Sequence, residues 1–217
     1  MYFVSILAEA YRNQTAKMIS AINYISDYCN GAKLVIRLDD DVLVHPEHML
    51  RRLTHTMLPS ESIIRGNNSV IDYGTLLSKL PENTIVCRVL RHRWIIRCPD
   101  KTKKCLRYAV SNDTLPRRKK YPDFCAGFFI AFTPDLMTKF QGLFAKEKPF
   151  WIDDSYLGVL QLRLRTRNIN SQQLFFTARS EMTENLNTGV LLAVHLGKKY
   201  SKHIRNFPIE EYLPLEK

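Results

Sequence analysis

A chain of 217 residues with 45% apolar and 24% charged side chains is long enough to bury one sizeable core, and its composition is neither disordered nor fibrous. The net charge of +11 favours polyanionic neighbours: nucleic acid, an anionic membrane surface or a diphosphate-bearing substrate. The sign alone does not choose among them. No apolar run approaches the length of a membrane span, and the start, Met1-Tyr2-Phe3-Val4, lacks the basic flank and long apolar stretch of a signal peptide.

Residues 2–7 read as a short buried strand. Over 13–29 the side chains of Met18, Ile19, Ile22, Ile25 and Cys29 keep a helical stripe, and Gly31 marks its stop. Residues 33–38 hold a β-branched, nearly continuous apolar run, the pattern of a strand buried on both faces, and three aspartates follow directly. Pro46 opens a second helix with Met49, Leu50, Leu53 and Met57 on one face. Residues 62–82 are polar and read as loop with one short helix, and 84–90 and 93–97 read as two strands of a candidate hairpin. A basic connection over 98–120 ends in Arg117-Arg118-Lys119-Lys120. Residues 128–132 are expected to be a strand, and Thr133-Pro134-Asp135 a helix start capped by Thr133. Asp153-Asp154 stands at the head of another helix, which turns Tyr156, Leu157, Leu160 and Leu164 inward; 190–196 is a last strand, followed by a basic tail. The alternation of strand and helix in the first half predicts an α/β sandwich with a mostly parallel sheet.

The five cysteines, Cys29, Cys87, Cys98, Cys105 and Cys125, fall into no Cys-x-x-Cys pattern. A structural zinc is therefore disfavoured, the pairing is not readable from spacing, and at least one cysteine stays free or pairs between chains. Asn-x-Ser/Thr sequons at Asn13, Asn67 and Asn112 are candidate glycosylation sites and mildly favour a secretory protein.

Asp39-Asp40-Asp41 is the sharpest chemical signal. Three like charges at the end of a buried strand repel one another, and a divalent cation relieves that repulsion while gaining oxygen ligands. The carboxyl end of a strand is also where open α/β sheets bind ligands. A solvated turn capping the helix at Pro46 is the other reading, although apolar residues flank the triplet on both sides. Asp153-Asp154 is either a pair of helix-dipole partners or a source of a general base, with Phe150-Trp151-Ile152 shielding it from water and offering a face for a sugar. His195 is either a satisfied core residue or an imidazole aimed at a manganese-like ion. Tyr121-Pro122-Asp123-Phe124-Cys125-Ala126-Gly127-Phe128-Phe129 reads as a loop leading into a strand, either a wall for a flat ring or a simple turn. The cluster 117–120 either attracts phosphates or is solvated.

Five motifs in order resemble the β-1,3-galactosyltransferase family (glycosyltransferase family 31), over roughly residues 3–200. Tyr11-Arg12-Asn13-Gln14-Thr15-Ala16-Lys17 is similar to the family's Tyr-x-Asn-Leu-Thr-x-Lys helix start. Cys29 followed by Leu38-Asp39-Asp40-Asp41-Val42-Leu43-Val44 resembles its Cys and Asp-Asp-Asp-Val-Phe-Val strand. Tyr121-Pro122-Asp123-Phe124-Cys125-Ala126-Gly127 resembles its Tyr-Pro-x-Tyr-Cys-Ser-Gly loop, Ile152-Asp153-Asp154-Ser155-Tyr156-Leu157-Gly158 its Glu-Asp-Val-Tyr-Val-Gly, and Val194-His195 its late Val-His.

The resemblance implies a GT-A-like fold over a single catalytic domain, 1–217. It also implies inverting transfer of galactose or N-acetylglucosamine from a UDP-sugar to a glycan hydroxyl in β-1,3 linkage. Carried over residue by residue, Asp39 and Asp40 hold the donor, Asp41 and His195 ligate Mn2+ (or Mg2+), and Asp154 is the general base. Tyr121, Phe124, Gly127, Trp151 and Asp153 form the acceptor wall, and Asp39, Asp41, His195 and Asp154 are expected to share one cleft. Family members carry a membrane anchor, a stem and first nucleotide-binding strands ahead of the matched motifs. The resemblance therefore implies a chain truncated at its N-terminus, whose full-length form sits in the Golgi membrane as a type II protein with a lumenal domain. Asp153 stands where the family has Glu, and Ala126-Gly127-Phe128-Phe129 replaces a smaller Ser-Gly-Gly-Gly run, which crowds the acceptor wall. No nucleic-acid partner is implied. A basic module for polyanions such as RNA would use 117–120 and the tail without needing the Asp triplet, and a catalytically inactive family member would keep the motifs without the activity.

Overall fold

In the computed structural model, which describes residues 10–58, 73–98, 108–172, 175–177 and 193–195, a 3-10 turn at Tyr11–Asn13 runs into α1, Gln14–Tyr28. The predicted stripe is the buried face: Met18 and Ile22 are buried, with Ile19 and Ile25 packed beside them. There follow β1 (Val35–Leu38), β2 (Val42–Leu43), α2 (Pro46–Met57) and a short α3 (Tyr73–Ser78). Pro46 opens α2 as expected, and the His45 ring caps it by accepting from the amide of His48. Then come β3 (Thr84–Leu90), β4 (Phe124–Phe132), α4 (Asp135–Phe144), α5 (Asp153–Leu164), β5 (Arg167–Asn170), β6 (Phe175–Thr177) and β7 (Ala193–His195). The expected strand at 2–7, and most of the one at 190–196, lie outside the described residues.

The main sheet has the order β1-β4-β3-β5, and a second sheet the order β2-β7-β6. β4 is antiparallel to both neighbours while β3 and β5 are parallel, so the sheet is mixed rather than mostly parallel. The reason lies in the connection: a parallel return needs a crossover, usually helical, and the described part of 91–123 carries no helix. One face packs on α1, α4 and α5 through Ile85, Cys87, Ile130 and Leu157; the other packs on α2 and Ala193 of β7 through Val86, Phe129 and Ala131.

Three local expectations change. β1 is an edge among the described strands, so Val35, Ile36 and Arg37 are only half-buried and Leu38 is exposed, not buried on both faces. Residues 93–97 do not form a strand but an irregular stretch, held by an isolated bridge from Trp94 to Lys120, by the Val110 amide donating to Ile96 O and by the Arg97 guanidinium donating to the carbonyls of Ser111 and Thr114. The segment read as a loop is already β4 from Phe124 onward. Its irregularity is a bulge: Cys87 pairs with Ile130 and Val89 with Cys125, so residues 126–129 of β4 stand against Arg88 alone. A disulfide between Cys87 and Cys125 ties the two strands at this point, Cys98 is also disulfide-bonded, and Cys29 is free. The Thr133 hydroxyl does not cap α4; it bonds the backbone of Thr84 instead, and Asp135 accepts from the amide of Asn83.

Gly158 sets the distance between α5 and β4. A β-carbon there would lie 2.5 Å from Cβ of Phe124 and 3.1 Å from the carbonyl oxygen of Asp123, so any side chain would push the helix off the strand. Gly158→Ala is expected to destabilise the fold by about 1–3 kcal/mol. A thermal melt unchanged from wild type would show that the approach is not that close.

Candidate active site

Two elements of opposite origin deliver the acidic residues. β1 ends at Leu38 and the chain turns at once: the Asp39 amide donates to Phe128 O at 3.1 Å and the Val42 amide to Asp39 O at 3.3 Å. This turn leaves Asp39 and Asp41 half-buried and Asp40 exposed. Val42 pairs with His195 across β2 and β7, so backbone register sets His195 opposite the residue that follows Asp41. The side chain of His195 lies outside the described residues, and among those described no group of three or more acidic, His or Cys side chains is arranged around a metal. The half-buried Asp41 carboxylate is an oxygen donor of the kind that manganese and magnesium take.

The second pair arrives on α5. Asp153 is ion-paired with Arg37 of β1, whose Nη1 also lies 3.8 Å from the sulfur of Met18. Asp154 turns elsewhere: its Oδ1 accepts from the Ser155 amide at 2.6 Å. Burial, and then the negative charge of Asp153, push the Asp154 carboxyl up to about 6. Between them lies Gly127 of β4, where a β-carbon would stand 3.3 Å from Nη2 of Arg37 and 3.7 Å from Cβ of Asp154. The first motif meets this region as well, since the buried Thr15 hydroxyl donates to Phe150 O at 2.6 Å just ahead of α5.

Asp154 lines a cleft of about 650 Å³ together with Tyr121, Phe124, Trp94, Tyr108 and Arg93. Tyr121 stacks on Phe150 and meets Phe124 edge-on, and burial raises its hydroxyl to about 12. Thus Tyr121, Phe124 and Gly127 are gathered at Asp154. Trp151 and Asp153 face away from that cleft. Trp151 lines a neighbouring cavity of about 450 Å³, its Nε1 donating to Ala109 O at 3.0 Å and the Arg12 guanidinium 5.6 Å above its ring. Asp153 and Asp39 line a third cavity, of about 390 Å³, along β1. Asp39 and Asp154 therefore line different cavities, not the single cleft expected.

Two contributions escape the sequence reading. Arg37 stands as one cation in an apolar run, which was the available signal, but its partner is 116 residues away. Trp94 and Tyr108 lie in irregular segments with no pattern to mark them. Among the sequons, Asn112 sits in an exposed turn. Asn13 lies in a half-buried 3-10 turn whose Thr15 hydroxyl is already engaged, and Asn67 is outside the described residues.

A galactosyltransferase family model matches residues 3–172. The chain belongs to that family. It is 24% identical over 153 residues to β-1,3-galactosyltransferase 4 of Mus musculus, an alignment covering 70% of this chain and 41% of the relative. It is 22% identical over 189 residues to β-1,3-galactosyltransferase bre-5 of Caenorhabditis elegans, covering 86% and 49%. It is 24% identical over 174 residues to human UDP-GalNAc:β-1,3-N-acetylgalactosaminyltransferase 1, covering 79% and 44%. The chain thus spans less than half the length of each of these galactosyltransferase-family relatives.

The raised Asp154 carboxyl has a consequence for stability. Its folded value lies above the ordinary 3.8, so the folded chain holds this proton more tightly than the unfolded one. Its contribution is fully favourable below about pH 4 and is lost as pH rises through about 6, by on the order of 3 kcal/mol. Asp154→Asn keeps the acceptor for Ser155 but cannot ionise. It is expected to be more stable than wild type at pH 7, with the two converging near pH 4, in urea unfolding across that range. Parallel pH profiles would contradict the assignment.

Proposed function

We propose that this chain carries the catalytic machinery of an inverting hexosyltransferase that moves galactose or an N-acetylhexosamine from a UDP-sugar to a glycan hydroxyl in β-1,3 linkage. The observation that carries this reading is Asp154: a shielded carboxylate, raised to about 6 and set in an aromatic-walled cleft, is a base poised for use near neutral pH. In the proposed step the acceptor hydroxyl gives its proton to Asp154 as its oxygen bonds to the anomeric carbon. The bond from that carbon to the diphosphate breaks, and its electron pair leaves with UDP. Phe124 and Tyr121 orient the acceptor ring and exclude water, while Asp39 and Asp40 hold the ribose and diphosphate end of the donor. A divalent cation, Mn2+ or Mg2+, held by Asp41 and His195, would supply positive charge against the departing diphosphate.

A lumenal site of action, in the Golgi as a type II membrane protein at full length, goes with this reading. The Cys87–Cys125 disulfide and the exposed sequon at Asn112 support an oxidising, glycosylating compartment. No helix among the described residues is long and apolar enough to cross a membrane.

Asp154→Asn is expected to lower transfer about 10²–10⁴-fold while leaving UDP binding within twofold of wild type, roughly the contribution of a general base. Asp41→Asn should instead weaken UDP and Mn2+ binding together. Steady-state transfer to a panel of simple acceptors and calorimetric titration with UDP and Mn2+ separate the two. Wild-type turnover in Asp154→Asn would remove Asp154 as the base.

A further inference from the structure

The cleft holding Asp154 contains residues to which the proposed reaction assigns no task. β3 ends at Leu90, and Arg91, His92, Arg93 and Trp94 follow on the cleft's rim, all exposed. His92 has φ 56°, in the left-handed region that histidine adopts more readily than most side chains, and the chain turns there to present this basic run. Arg91 lies 3.6 Å from Asp123 in an exposed pair that holds it only weakly, and Arg93 has no ion-pair partner among the described residues. Trp94 is 63% exposed, unusual for an indole, with the Lys120 ammonium 4.7 Å from its ring. The Tyr121 hydroxyl is buried yet has no hydrogen-bond partner among the described residues, a position that native proteins normally satisfy.

We propose that this cleft takes an anionic glycan acceptor, whose sulfate or carboxylate is held by Arg93 and Arg91 while a sugar ring stacks on Trp94. A neutral glycan would use the exposed indole and the orphan hydroxyl of Tyr121, but it has no use for two guanidinium groups, whose forks match sulfate and carboxylate oxygens. The donor's diphosphate does not account for them either, because Asp39 lines a different cavity. This inference rests on reading the Asp154 cleft as the acceptor site.

The test is a binding titration of the full chain, by ligand-observed NMR, with lactose, lactose 6′-sulfate and 6′-sialyllactose. One anionic sugar should bind about tenfold more tightly than lactose at low salt. That advantage should shrink as salt is raised. Preference for the sulfate or for the sialic-acid carboxylate identifies the source of the charge. The Arg91→Ala/Arg93→Ala double variant should bind all three sugars alike, whereas Trp94→Ala should weaken all three by the same factor. Equal affinities in the wild type, no binding of any of the three, or a charge preference that survives the double variant would overturn the acceptor class. None of these readings requires transfer. Retained turnover in Asp154→Asn would instead remove the base and leave the binding result standing.

Discussion

Arg37 reaches from β1 past Gly127 of β4 to Asp153 at the head of α5, and the arrangement of the site depends on this contact. The missing side chain at Gly127 leaves the guanidinium room, since a β-carbon there would stand 3.3 Å from its Nη2 and press it aside by a few tenths of an ångström. It pairs with one of two adjacent carboxylates and not with the other. Asp153 is thereby tied to the strand that leads into the Asp triplet. Asp154 is left to face the opposite cavity, with a buried carboxyl and a negative neighbour. A half-buried charge stripped of its partner is strongly unfavourable, so the pair holds strand and helix in one relation.

That relation separates the carboxylates. Asp39 shares a cavity with Arg37 and Asp153, while Asp154 shares one with Tyr121, Phe124 and Trp94. Adjacent residues at the head of α5 thus open onto different cavities. The rise of the Asp154 carboxyl to about 6 comes from the same placement. Burial that destabilises the ionised form raises the carboxyl toward neutrality, and the same burial costs the fold stability once the group ionises.

The β4 bulge brings further residues to this place. Four residues, 126–129, stand against Arg88 alone, which brings Gly127 to Arg37 and Asp154, and the Cys87–Cys125 disulfide ties the strands beside it. Gly158 lets α5 sit against Phe124 from behind. The two glycines of the matched motifs thus act through close approach: one admits a guanidinium, the other a strand.

Local periodicity and punctuation by themselves determined α1, α2 and β3, because each is settled by residues within a few positions of one another. Met18 and Ile22 recur at helical spacing, Pro46 fits the first turn of a helix, and the apolar stretch of β3 is short and β-branched. The ordered motifs likewise identified the family and singled out Asp39–Asp41 and Asp153–Asp154, since their spacing along the chain is itself the signal. Only the tertiary structure decided which carboxylate Arg37 neutralises, that Trp151 turns to Arg12 and Ala109 rather than to Asp154, and that Trp94 and Arg93 stand on the cleft instead of in a strand. It also decided that β4 runs antiparallel between β1 and β3 and that Cys87 pairs with Cys125. Each of these is set by contact between segments tens of residues apart, where the local sequence carries no register and a one-residue shift in a strand or a helix start would send a side chain to the other side.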